Sequence, residues 1–167
     1  AIKYFDLNEK KIALSCSSHR GEKFHIKELS EWLKKTKLNY KNLKCGIHNP
    51  LNMKATEKLL RSKIKVNALH NNCAGKHLAM ITSCLMNNYS KNNYLDFNHP
   101  HQISIRKVFE DFSQSKIFRK NYGIDGCSAP QYAFQIKGLA LMLINLLLSY
   151  KKKFNYHDEV SILINSI

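Results

Sequence analysis

HNNCAGKHLAMITSCLM, residues 70–86, runs from a cluster of polar and reactive side chains into a segment that is apolar on nearly every side. A helix of that composition is buried on most of its faces, and its start falls near Asn72. On the N-terminal side, NEKKIALSC reads as a short helix, with Asn8 able to accept from the first free backbone donors and Glu9 near the positive end. Between Phe24 and Leu38 the apolar Ile26, Leu29, Trp32 and Leu33 recur at helical spacing, with Lys27, Glu31, Lys34 and Lys35 on other faces. CGIHNP at 45–50 is a loop by its Gly, Asn and Pro content, and a second, shorter helix is expected from Thr56. On the C-terminal side, 87–98 is polar and turn-like, Gln102 to Ser113 predicts a helix, and DGCSAP at 125–130 predicts a tight loop. The most apolar helix, Tyr132 to Ser149, is expected to be buried, and the lysines at 151–153 to form its solvated exit. The fold class that follows is mostly α, with few strands, in one domain over 1–167.

A chain of 167 residues is long enough to bury roughly 70% of its unfolded surface. The five cysteines, at 16, 45, 73, 84 and 127, are odd in number and show no tight pairing, which suits a reducing compartment. The most apolar run, Gly138 to Leu148, contains Asn145 and is flanked by Lys137 and Lys151, so no membrane span is expected. AIKYFDLNEKK at the start has no apolar signal core or cleavage site, and a cytoplasmic protein is expected; its initial alanine suggests that sequence precedes it. The net charge of +15 would suit a nucleic-acid partner, but arginine occurs only at 20, 61, 106 and 119 and the lysines are spread along the whole chain. Codon bias towards Lys, Asn and Ile accounts for it equally. A basic nucleic-acid-binding or structural remnant without enzymatic activity is therefore the competing functional expectation.

Reactive residues gather in three loops, SCSSHRGE at 15–22, HNNCAGKH at 70–77 and DGCSAP at 125–130, and loops are where a helical scaffold presents a site. Cys16 and Cys84 read as core cysteines. Cys73 and Lys76 are three apart at a helix start and share a face there. An ion pair is the simpler account of that proximity. Metal ligation is the other, and it requires a neutral lysine; taking its pKa from about 10.4 to below 7 costs roughly 5 kcal/mol unless the metal or burial supplies it. Two thiolates and one nitrogen on zinc would leave a fourth position open to water or substrate. Neither HisGluXXHis nor CysXXCys occurs in the chain.

SCSSHXGEXXH (15–25), CGXH (45–48), HNNCXGKH (70–77), HPXQ (99–102) and DGCXXP (125–130), in this order and at these separations, resemble the successive motifs of the bacterial L-asparaginase II family of serine/lysine amidohydrolases. The resemblance implies a fold similar to serine-dependent glutaminases and β-lactamases, of which this chain would be the helical portion with an incomplete or small sheet. It implies hydrolysis of the side-chain amide of L-asparagine to aspartate and ammonia. By the same resemblance Cys73, Lys76 and Cys127 match zinc ligands, which favours ligation over the ion pair. Asp125 and His77 match substrate-pocket positions, Asp125 meeting the substrate ammonium, and Ser18 matches the serine of one of two serine/lysine pairs. A serine hydroxyl needs a neighbouring neutral lysine as base. In the family one pair lies on a SerXXLys segment before the matched region, and the lysine partner of Ser18 lies after it. Neither occurs within 1–167, so the expectation is a truncated, weakly active or inactive form, with separately encoded segments or a homodimer partner as its possible complements. Ser128 stands where the family usually has glycine, and Arg20 where it usually has a small or polar residue.

Overall fold

Asn8 accepts a hydrogen bond from the Lys11 amide at 3.1 Å, and helix α1 runs from that cap over Glu9–Cys16. The computed structural model describes residues 1–167 as two compact units, Ala1–Asn92 and Asn93–Ile167. The first contains α1, α2 (Lys23–Thr36), α3 (Met53–Arg61) and α4 (Ala74–Met86). Helix α4 is its hub: Ala74, Leu78, Ile81 and Cys84 are fully buried, and α1 and α2 pack on it and on each other. Leu29 and Trp32 of α2, on the face their spacing predicts, complete that core together with Ile12 and Leu14 of α1. Helix α3 begins at Met53 rather than Thr56, because Asn52 caps it by accepting from the Ala55 amide at 3.0 Å. None of its residues is buried.

Between α1 and α2 lies a charged contact. Lys11 is only 2% exposed, and its Nζ donates to Glu28 at 2.7 Å, with Glu31 at 3.6 Å. The Glu28 carboxyl is held below its ordinary range by the hydrogen bond from Lys11. Removing one partner of a buried pair strands the other, and Glu31 is an imperfect substitute. Glu28→Ala is expected to destabilise the first unit by about 2 kcal/mol, the scale of a charged hydrogen bond, read as a lowered urea midpoint. Lys11→Met should recover part of that loss in the double variant.

The second unit contains α5 (Pro100–Ser113), a two-stranded antiparallel sheet of β1 (Tyr122–Ile124) and β2 (Pro130–Tyr132), α6 (Ile136–Tyr150) and α7 (His157–Asn165). The fold is mostly α, with this small sheet alone. Helix α5 starts at Pro100, whose missing N–H costs nothing at a first helical position, with His99 as its cap. Helix α6 starts at Ile136, four residues later than the expected start at Tyr132, since Tyr132 is paired with Tyr122 in the sheet. Its buried residues are Gly138, Asn145 and Ser149. Asn145 Nδ2 donates to the Phe112 carbonyl at 2.8 Å, so the small and polar stripe lies against α5. Leu139, Leu143 and Leu147 are left more than half exposed, contrary to the buried helix expected from composition. No helix of the chain is long and apolar enough to cross a membrane.

Candidate functional site

The HNNC segment is held on both sides by its own amides. The Asn67 side chain accepts from Leu69, and the His70 Nδ1 accepts from the Asn67 amide at 3.1 Å, fixing a short 3-10 turn over Ala68–His70. Asn71 Oδ1 then accepts from the Cys73 amide at 2.8 Å, and its Nδ2 donates to the Cys45 carbonyl at 2.7 Å. His48 Nε2 accepts from the Asn72 amide at 3.1 Å while its Nδ1 donates to the Asn49 carbonyl at 2.6 Å. The CGXH loop is thus a brace for the HNNC loop. That role is invisible in either motif alone.

The 15–22 loop joins the same assembly. His19 donates its backbone N–H to the Asn72 carbonyl at 3.1 Å, and Asn72 Nδ2 donates to Ser18 Oγ at 3.4 Å. Ser18 makes no other side-chain hydrogen bond. Gly21 has φ +72 and its α-carbon faces Pro50, where a Cβ would lie 2.8 Å from the proline Cβ, so only glycine fits. Glu22 and His25 form a reciprocal capping box at the start of α2. The second histidine of SCSSHXGEXXH, His25, therefore caps the start of α2.

Burial dominates the electrostatics. His19 is 2% exposed, its Nδ1 accepts from the Gly21 amide at 3.1 Å, and its buried Nε2 has no partner. Its pKa is lowered to about 4 by burial and, less strongly, by His25, His48 and His70 nearby. Burial also lowers His25 and His70.

Cys73 is the N-cap of α4 and half-buried; Lys76 is the third residue of that helix, and His77, fully buried, follows. Ser18, Asn72, Cys73, Lys76 and His77 thus belong to one connected region of the first unit. In the second unit, Asp125 Oδ1 accepts from the Cys127 and Ala129 amides, each at 2.9 Å, and Oδ2 accepts from Gln131 Nε2 at 3.1 Å. The carboxylate organises the turn that buries Cys127. Ser128 in that turn has φ +68, a left-handed conformation that glycine adopts without cost. A serine in that conformation places backbone strain beside Cys127. No group of three or more His, Cys, Asp or Glu side chains is arranged to hold a metal ion.

The family model described as L-asparaginase II matches residues 1–167, the whole chain. The chain belongs to the L-asparaginase II family. No curated protein matches it. Asparaginase-like chemistry is therefore the general function of the scaffold, and the loops at 15–22, 45–50 and 70–77 are the ones the first unit ties together. Sequence reasoning singled out Ser18, Cys73, Lys76 and His77 but passed over Asn71, Asn72 and His48. The signal was present in HNNC itself, since two consecutive asparagines before a helix are side-chain-to-backbone bonding residues.

Proposed function

We propose that this L-asparaginase II chain serves hydrolysis of the side-chain amide of L-asparagine, with Ser18 as nucleophile. The observation that supports this best is the Asn72 bridge, which ties the Ser18 hydroxyl to the loop leading into Cys73, Lys76 and His77. In the reaction, Ser18 Oγ forms a bond to the amide carbon as its proton leaves, the C–N bond breaks with ammonia taking a proton, and water then hydrolyses the ester. His77 and Asp125 are the proposed substrate-binding residues, Asp125 for the substrate ammonium. Zinc is the proposed cofactor, with Cys73 and Lys76 at the start of α4 as candidate ligands in the first unit and Cys127 as a candidate in the second. A bound zinc would supply a Lewis acid that orients or polarises the substrate.

The chain by itself is proposed to be weakly active. Ser18 Oγ receives a hydrogen bond from Asn72 and gives its proton to no base, while nucleophilic serine requires one. A lysine from outside residues 1–167 would complete it. The purified chain is expected to release ammonia from L-asparagine only at trace rate, and Ser18→Ala to abolish that trace. Rapid turnover by the chain alone would refute the missing base, and a rate unchanged by Ser18→Ala would refute the nucleophile. About one zinc per chain is expected by elemental analysis of protein prepared without chelator, lost in Cys73→Ala and in Cys127→Ala. Metal-free protein, or zinc retained in both variants, would remove the ligand set.

A further inference from the structure

Helices α2 and α3 of the first unit do not close on each other, and a cleft of about 570 Å³ lies between them. Each wall is built from one helix face with the same spacing: Lys23, Ile26 and Lys27 from α2, and Ala55, Lys58 and Leu59 from α3. Positions i, i+3 and i+4 share a helix face, so both walls present apolar groups together with ammonium groups. Ile64 adds to the apolar lining. No carboxylate lines the cleft, and Lys23, Lys27 and Lys58 take part in no ion pair. Beyond Lys58 the surface continues through Lys54 and Arg61, with Glu57 as its one acidic group.

A second observation points into the same space. His70 lines the cleft, is only 4% exposed, and spends its Nδ1 on the Asn67 amide. Its Nε2 makes no hydrogen bond. His70 thus brings a ring with one uncommitted nitrogen to the same lining as the three lysines.

We propose that this cleft binds a medium-chain alkyl carboxylate, its tail against Ile26, Leu59 and Ile64 and its carboxylate among Lys23, Lys27 and Lys58. The volume lies within the 300–1,000 Å³ typical of ligand pockets, apolar lining takes the tail, and three uncompensated ammonium groups take the charge. The site is separate from the amide chemistry above. It meets the loops of that site at Gly21, in the segment that carries Ser18, and at His70, which opens the HNNC segment.

The test is calorimetric titration of the full chain with octanoate, hexanoate and 1-octanol, with octanoate-induced amide shifts by NMR to locate the site. Octanoate is expected to bind saturably and about tenfold more tightly than hexanoate, from two buried methylenes. Lys27→Gln and Lys58→Gln should each weaken it about threefold, and together about tenfold, the range for partly exposed charge pairs. Because Lys58 and Leu59 lie on a helix with no buried residue, Lys58→Gln and Leu59→Ser should fold normally. Leu59→Ser should erase the preference for the longer chain. Absence of saturable octanoate binding, equal binding of 1-octanol, insensitivity to both lysine changes, or shifts clustered away from α2 and α3 would each overturn the proposal.

Discussion

Gly75→Ala is expected to cost the first unit about 3 kcal/mol or more, and larger side chains at this position to prevent its folding. Intrinsic propensity argues the other way, since alanine in place of glycine inside a helix is worth about 1 kcal/mol in favour of the variant. Packing decides the sign. A Cβ built on Gly75 would sit 2.0 Å from the Leu14 carbonyl oxygen and 2.7 Å from its carbon. Backbone on both sides leaves no flexible side chain to move aside, so α1 and α4 must separate. That separation would propagate, because α1 leads into the loop where His19 bonds Asn72 and Asn72 bonds Ser18. The glycine of HNNCXGKH is thus a contact residue that fixes the serine loop against the start of α4. Urea unfolding followed by the fluorescence of Trp32, the single tryptophan of the chain, reports on this unit directly. Gly126→Ala is the control: its Cβ would meet nothing within 4 Å, and a change within about 0.5 kcal/mol is expected there. A Gly75→Ala midpoint equal to wild type would show that the close approach of α1 and α4 is not what the glycine serves.

Much of the local architecture is legible in the sequence because it rests on period and capping. Asn8, the Leu29–Trp32–Leu33 face and the apolar 78–86 run each specify their helix with no help from distant residues. Where tertiary partners decide, the sequence is silent. Helix α6 is apolar nearly throughout, yet Gly138, Asn145 and Ser149 face inward because small residues let α5 approach closely. Helix α7 has no strong period, and it is positioned by contacts such as Tyr156 Oη donating to Asp111 at 2.6 Å. In the site, motif spacing identifies Ser18, Cys73 and Lys76 as candidates but not the brace formed by Asn71, Asn72 and His48. Such hydrogen bonds join residues 24 to 54 positions apart, and no local pattern encodes them. Asp125 shows the converse: its carboxylate is a turn organiser whose acceptors are already engaged, so any contact with substrate must share them.

Acidification from pH 6.5 to 4.5 should weaken the first unit, and His19 is the main cause. Its folded pKa is lowered to about 4 from 6.5, by burial first and then by the neighbouring His25, His48 and His70. A depressed folded pKa means that the neutral ring's contribution is complete above 6.5 and is lost as pH falls towards 4, since the unfolded chain takes up the proton first. Over the full interval this amounts to roughly 3 kcal/mol. His25, stacked on His19 at 5.2 Å between ring centres, and His70 are lowered by burial too and act in the same direction. Glu28 lies outside the window, because its hydrogen bond from Lys11 holds it below 4.5. His19→Asn separates these terms: an asparagine Oδ1 can still accept from the amide two residues on, as Nδ1 does from Gly21, but cannot titrate. At pH 7.5 the variant should lose about 1–2 kcal/mol from the smaller side chain. Between pH 6.5 and 4.5 its urea midpoint should fall much less steeply than that of wild type. Parallel slopes would assign the acid sensitivity to another group. The orphaned Nε2 of His19 makes that result decisive, because a ring with no partner for a second proton has no means of offsetting the charge it would carry.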